Sequence, residues 1–153
     1  MSGISLLEFA DRLNQIMPVL MREFARRQTN ELYKGQITLP QFIALEYLGK
    51  EGPLKMSDLA RFMNVTTAAM TGIVERLVRD GYILRSYDAN DRRIINVGLT
   101  KKAAMLIRKI NLERRSLALK IFGRITPEDR SDYLRILTQI HRIVLKNHLD
   151  GAR

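Results

Sequence analysis

The apolar positions of this chain follow a helical rhythm at both ends and an alternating rhythm in the middle. From Ser5 to about Gln28, Leu6, Phe9, Leu13, Ile16, Met17, Leu20 and Phe24 recur at the spacing of one helical face. Pro18 falls inside that run, where it removes a backbone donor and crowds the preceding turn, so a kink or a break is expected there. Lys34-Gly35-Gln36 punctuates the chain. Thr38 is then placed to cap a second helix, with Pro40 in its first turn and Phe42, Ile43, Leu45, Tyr47 and Leu48 on mostly buried faces, until Gly52-Pro53 stops it. A third helix starts at Lys55 or Ser57 and runs to Met63, with Leu59, Ala60 and Met63 inward. Asn64 and Val65 form a turn. Thr66 or Thr67 caps a fourth helix whose Met70, Ile73, Val74 and Leu77 follow the i, i+3, i+4, i+7 pattern of a core face, and Gly81 supplies a left-handed stop.

The rhythm changes at Tyr82. Tyr82 to Tyr87 and Arg93 to Leu99 are rich in aromatic and β-branched residues, Ile95, Val97 and Leu99 alternate onto one face, and the polar turn sequence Asp88-Ala89-Asn90-Asp91-Arg92 lies between them. This predicts a β-hairpin with a charged tip. Thr100 then caps a long helix from Lys101 to about Phe122 with Ala103, Leu106, Ile110, Leu117 and Ile121 apolar. Thr126-Pro127-Glu128-Asp129 starts a last helix carrying Tyr133, Leu134, Ile136, Leu137, Ile140, Ile143, Val144 and Leu149. Helix, turn, helix and hairpin in that order make a winged helix. The expected fold is therefore mainly α with a small β-hairpin wing: one chain, 1–153, with a winged helix-turn-helix over 38–99 and dimerisation helices at 1–34 and 100–149. A chain of this size has little left to cover the outer apolar stripes, so the first, fifth and sixth helices are expected to intertwine in a homodimer.

Composition narrows the function classes. With 153 residues, 46% of them hydrophobic and 27% charged, the chain fits one globular domain or a small module framed by helices. It has no cysteine, which excludes disulfides, thiolate metal sites and thiol redox sensing. No secretory leader pattern occurs, and no apolar stretch approaches the roughly 20 residues of a membrane span, so a soluble, cytoplasmic protein with no membrane partner is the expectation. No nucleophile elbow, phosphate loop or carboxylate dyad is present, which argues against an enzyme. His141 and His148 are seven apart without nearby carboxylates and make no convincing metal site, so neither metal nor cofactor is expected.

The net charge of +10 points to a polyanionic partner, yet its distribution qualifies that reading. Residues 57–99 hold six basic against five acidic side chains, whereas 100–149 hold twelve against four. Placement must therefore carry the case. On the fourth helix, Thr67, Ala68, Thr71, Glu75 and Arg79 are expected outward, with Ala69, Gly72 and Arg76 nearer the borders. Such short side chains let a helix approach the floor of a DNA major groove, where hydroxyls bond base edges and methyls touch thymine. Gly72 costs helix stability and suggests close backbone approach, either to DNA or to a neighbouring helix. An arginine at the hairpin tip can enter a narrow minor groove; Asp91, which phosphates would repel, is expected to hold that arginine in position, with an ordinary surface ion pair as the alternative. Lys101 and Lys102 are expected near the DNA backbone, while Arg108, Lys109, Arg114 and Arg115 read as a solvated face supplying long-range attraction. Arg12, Met17 and Tyr47 are candidates to line an effector pocket, with core packing as the alternative for Met17 and Tyr47. A winged helix used only for protein association is the competing function, and exposed aromatics on the fourth helix would favour it; there are none.

Several of these segments together resemble a known family. Leu59-Ala60 through Val65, Thr71-Gly72-Ile73-Val74-Glu75-Arg76-Leu77, Gly81-Tyr82-Ile83, Asp88-Ala89-Asn90-Asp91-Arg92-Arg93 and Val97-Gly98-Leu99-Thr100 are similar to the multiple-antibiotic-resistance regulator (MarR) family over roughly residues 38–103. One departure is Ala103, where a glycine is common in the family. The resemblance implies a homodimeric winged-helix regulator of a pseudo-palindromic operator in double-stranded DNA, usually a repressor and often relieved by a small-molecule effector. It assigns Thr66, Thr67, Ala69, Thr71 and Arg76 to the recognition helix and Arg92 and Arg93 to the wing. Within it, Thr67 and Thr71 are the expected base contacts, Arg76 and Arg92 the phosphate contacts, and Arg93 the minor-groove residue, oriented by Asp91.

Overall fold

The computed structural model describes residues 3–27 and 37–150, the side chains of 146–150 excepted. Helix α1 (Leu6–Arg27) is followed by α2 (Leu39–Glu51), strand β1 (Leu54–Lys55), α3 (Met56–Phe62), α4 (Thr67–Arg79), strands β2 (Ile83–Tyr87) and β3 (Ile95–Leu99), α5 (Lys101–Phe122) and α6 (Pro127–Asp150). The Lys34-Gly35-Gln36 punctuation falls outside the described residues.

Helix starts and stops follow the local chemistry. Thr38 and Gln41 form a reciprocal cap on α2: the Gln41 backbone N–H donates to Thr38 Oγ1 at 3.4 Å, and the Thr38 N–H donates to Gln41 Oε1 at 2.8 Å. That second bond gives Gln41, the one buried polar side chain among the described residues, its partner. Thr66 caps α4 by accepting the Ala69 N–H at 3.1 Å. Gly81 sits at φ +78°, the left-handed conformation expected of a helix stop, and Asn64 takes φ 52° in the turn between α3 and α4.

Two expectations about local structure need correction. Helix α1 runs unbroken through Pro18; the fixed φ of proline is itself helical, and on this solvent-exposed helix water can serve the freed carbonyl. The segment before α3 is not simply a helix start. Leu54 and Lys55 form a short strand opposite Val97 and Asn96, so the hairpin belongs to a three-stranded antiparallel sheet of order β1-β3-β2. Two residues are too few to show an alternating pattern, and their partner lies some forty positions away in the sequence.

The core is closed by α2, α3, α4, the sheet and the first half of α5. Phe42, Leu45, Leu48, Leu59, Met70, Val74, Leu77, Ile83, Val97 and Ile110 are buried together. Arg114 on α5 lies 4.5 Å over the Phe42 ring and reaches Glu46 at 3.3 Å, tying α5 to α2. By contrast, α1 buries none of its residues.

The chain divides into two compact units, one ending at Arg114 and the other beginning at Arg115. In the second, Arg130 donates to the carbonyls of Phe122 (2.9 Å) and Ile125 (2.7 Å), and the Phe122 and Tyr133 rings stack with centroids 5.3 Å apart. Thr126 caps α6 by accepting the Asp129 N–H at 3.1 Å. Tyr133, Leu134, Ile136, Leu137, Ile140, Ile143 and Val144 all remain exposed. Leu149 has no described side chain.

Candidate nucleic-acid interface

On α4 the buried residues Met70, Val74 and Leu77 set one pole of the helix. At about 100° per residue, the opposite pole falls on Ala68, Gly72 and Arg79, flanked by Glu75 on one side and Ala69 and Arg76 on the other. This shifts the outward face from the expected one. Thr71 borders the packed side and is only half exposed, because it lies next to Met70 and three residues before Val74. Its hydroxyl donates to the Thr67 carbonyl at 2.8 Å, which leaves the oxygen lone pairs free to accept. Thr67 and Ala69 are exposed, and so is Gly72.

Nothing within the described chain requires a glycine at 72. Its φ is not positive, and a Cβ built there would meet no heavy atom within 4 Å. The neighbouring-helix explanation for this residue therefore finds no support among the described residues. In an exposed helix interior glycine costs about 1 kcal/mol relative to alanine. Gly72 also lines an open groove of about 720 Å³ between the start of α2, at Thr38, Pro40 and Gln41, and the α4 face bearing Ala69, Ile73 and Arg76.

The wing is organised by two aspartates. Asp88 Oδ1 accepts the backbone N–H groups of Asn90 (2.9 Å) and Asp91 (3.2 Å), and these two bonds hold its carboxyl below the ordinary value of 3.8. Asp91 Oδ1 accepts the backbone N–H of Arg93 at 2.9 Å, while the Ile94 N–H donates to the Asp91 carbonyl at 3.0 Å. Asp91 thus fixes the main chain at Arg93. Among the described residues, neither Arg92 nor Arg93 forms an ion pair, and both side chains are exposed. Arg92 borders a cleft with Tyr87 and Asp88.

Wing and recognition helix are joined at their roots. Thr100 Oγ1 accepts the Ala103 N–H at 3.2 Å as the cap of α5 and donates to the Gly81 carbonyl at 2.8 Å. Lys102 Nζ donates to the Asp80 carbonyl at 2.7 Å and lies 4.5 Å over the Tyr82 ring. Its ammonium thereby serves the C-terminal end of α4, where positive charge complements the helix dipole. Arg85 on β2 faces Glu75 on α4 at 4.0 Å. Lys101 is exposed and makes no ion pair among the described residues.

Sequence reasoning missed Asp88 and the Glu75–Arg85 pair. An aspartate at the first position of a turn was the available signal for Asp88, whereas the ion pair joins a helix to a strand and leaves no local trace. The three effector-pocket candidates are not joined. Arg12 pairs with Glu8 on its own helix at 2.6 Å, Met17 is exposed, and the Tyr47 ring stacks on Phe62 with centroids 3.5 Å apart. His141 is exposed on α6, and the side chain of His148 is not described. Among the described residues no helix is long and apolar enough to cross a membrane.

Residues 37–95, which span the capped start of α2 to the first residue of β3, match the MarR family. The chain belongs to the MarR family. Its relatives are named as HTH-type transcriptional regulators and repressors. Among its relatives is the HTH-type transcriptional regulator YfiV of Bacillus subtilis, 33% identical over 102 residues, which cover 66% of this chain and 63% of the relative. The chain thus spans a little under two thirds of that relative's length. The HTH-type transcriptional repressor MdtR of Bacillus subtilis is 26% identical over 113 residues, 74% of this chain and 73% of the repressor. In fold, this MarR-family chain is similar to Streptococcus pneumoniae FabT, solved in complex with DNA. The TM-score is 0.77 at 21% identity, over 90% of this chain and 98% of FabT.

Proposed function

We propose that this chain acts as a cytoplasmic, homodimeric repressor, not an enzyme, binding a pseudo-palindromic operator through α4 in the major groove and the β2–β3 wing in the adjacent minor groove. The observation that carries this reading is that, among the described residues, Arg76, Arg92 and Arg93 form no ion pair, while Arg79, Arg85 and Glu75 around them are paired. Thr67 offers an exposed hydroxyl to base edges, and Thr71 offers an acceptor. Thr66 and Ala69 lie at the helix start, where the backbone can approach phosphate. Arg76, Arg92 and Lys101 take phosphates, and Arg93 enters the minor groove from a main chain fixed by Asp91. Lys102 adds its charge near the backbone while anchored to Asp80. The 38–99 segment is the reading module, and α1, α5 and α6 are the dimerisation helices. Relatives named as repressors and a fold relative solved with DNA support this reading.

A small-molecule effector is the remaining part of the proposal, with Arg12, Met17 and Tyr47 as its candidate lining once a second copy covers α1. Selection of bound duplexes from a randomised DNA pool, followed by a salt series on the winner, tests the whole. An inverted repeat with half-sites about one helical turn apart is expected, with affinity falling steeply in salt. Equal affinity for all sequences would refute sequence-specific regulation.

A further inference from the structure

Among the described residues nothing accounts for a glycine at the outward pole of α4. We infer that Gly72 is a specificity-determining residue, leaving room for the 5-methyl group of one thymine in each operator half-site. This rests on the DNA-binding reading above and deepens it. Gly72 is exposed, its φ needs no glycine, and no heavy atom lies within 4 Å of where a Cβ would stand. A helix-weakening residue held at the centre of an exposed face with no packing role is accounted for by something that approaches from outside.

The chemistry of the spot selects the approaching group. Ala68 stands one turn earlier on the same pole and Arg79 two turns later, so around Gly72 itself the surface is C–H only, its own backbone N–H and carbonyl lying within the helix interior, while the free N–H groups of the first turn lie at the helix start. A phosphate needs donors, and the flanking Arg76 is long enough to supply them away from the helix axis. Base-edge nitrogens and oxygens need hydrogen-bonding partners that this patch lacks. In the major groove the one apolar group is the thymine methyl. The open groove beside Gly72 leaves the approach clear, with Arg76 along its wall.

The test exchanges atoms on the two sides of the contact. Using the duplex selected by the wild-type chain, each thymine is replaced in turn by deoxyuridine, which removes only the methyl, and binding is measured for wild type and Gly72→Ala. One thymine per half-site is expected to lose three- to tenfold affinity for wild type when its methyl is removed. Gly72→Ala is expected to bind the unmodified duplex at least tenfold more weakly, and to prefer the deoxyuridine duplex at that same position, since the missing methyl makes room for the new Cβ. The variant should melt at or above the wild-type temperature, which separates lost contact from lost folding. A flat deoxyuridine scan in wild type, or Gly72→Ala with wild-type affinity and preference, overturns the inference. Failure of the wild type to select any sequence would instead overturn the DNA-binding reading beneath it.

Discussion

The Asp91 carboxylate grips Arg93 by its backbone N–H, at 2.9 Å, and makes no ion pair with its guanidinium. The acid shapes the loop, and among the described residues the cation forms no ion pair, as the proposed minor-groove role requires. An ion pair would have had to break on binding, at a cost set against the new contact; a backbone bond need not.

Removing that cation should be felt directly. Arg93→Ala is expected to weaken operator binding tenfold or more, about 1.4 kcal/mol, with an unchanged melting temperature. Fluorescence anisotropy at physiological salt measures it, and unaltered affinity would remove Arg93 from the interface.

The two possible roles of Asp91 separate by substitution. Asp91→Asn keeps an oxygen able to accept the Arg93 N–H and is expected to bind within about threefold of wild type, whereas Asp91→Ala loses the bond and should weaken binding several-fold more. If asparagine is as damaging as alanine, the negative charge matters and the backbone role is wrong.

Asp88 gives the wing a pH dependence. Its folded-state carboxyl lies below 3.8 because the Asn90 and Asp91 N–H groups bond its charged form. A depressed acid contributes stability above its unfolded value and loses it as pH falls through the folded value. The tip should therefore remain ordered at pH 5 and loosen only below about pH 4, a range referred to the ordinary aspartate value. Amide shifts of Asn90 and Asp91 followed by NMR titration report this; a midpoint above 4 would contradict the two bonds.

Thr100 joins two elements with one hydroxyl, capping α5 and bonding the Gly81 carbonyl at the end of α4. Thr100→Val keeps the shape and removes both bonds, and is expected to cost about 1–2 kcal/mol of stability. Because the wing is rooted there, operator affinity should fall as well. Chemical denaturation and binding on the same sample check the pair of effects.

What the sequence revealed followed the range of the interactions. Apolar periodicity within α4 and alternation in β3 are local, so the reading helix, the hairpin and their caps at Thr38, Thr66 and Gly81 could be read from neighbours alone. The strand at Leu54–Lys55 depends on Val97 and Asn96, and the Glu75–Arg85 pair on a helix meeting a strand, so neither has a local signature. Rotation of α4 was misjudged by a fraction of a turn. Thr and Ala fit either a border or a pole, and only the packing of Met70, Val74 and Leu77 decided that Gly72 faces outward and Thr71 does not.

The apolar residues left uncovered give the last prediction. Leu137 and Ile140 are 41% and 49% exposed on α6, in the same stripe as Val144, and α1 buries nothing at all. Isolated helices with such faces are marginal in water, since most helix stability in proteins comes from packing an apolar face. In the proposed homodimer a second copy of the chain would supply that packing under two-fold symmetry, where each stripe can meet its own counterpart. The wild type is accordingly expected to sediment as a dimer at micromolar concentration, and Leu137→Glu with Ile140→Glu to shift it toward monomer while the α2–β3 core stays folded. Operator affinity should drop more than tenfold in the double variant, because two linked half-sites bind with an effective concentration that separate monomers lack. A wild-type chain that sediments as a stable monomer would leave these stripes without an occupant and contradict the dimeric operator complex.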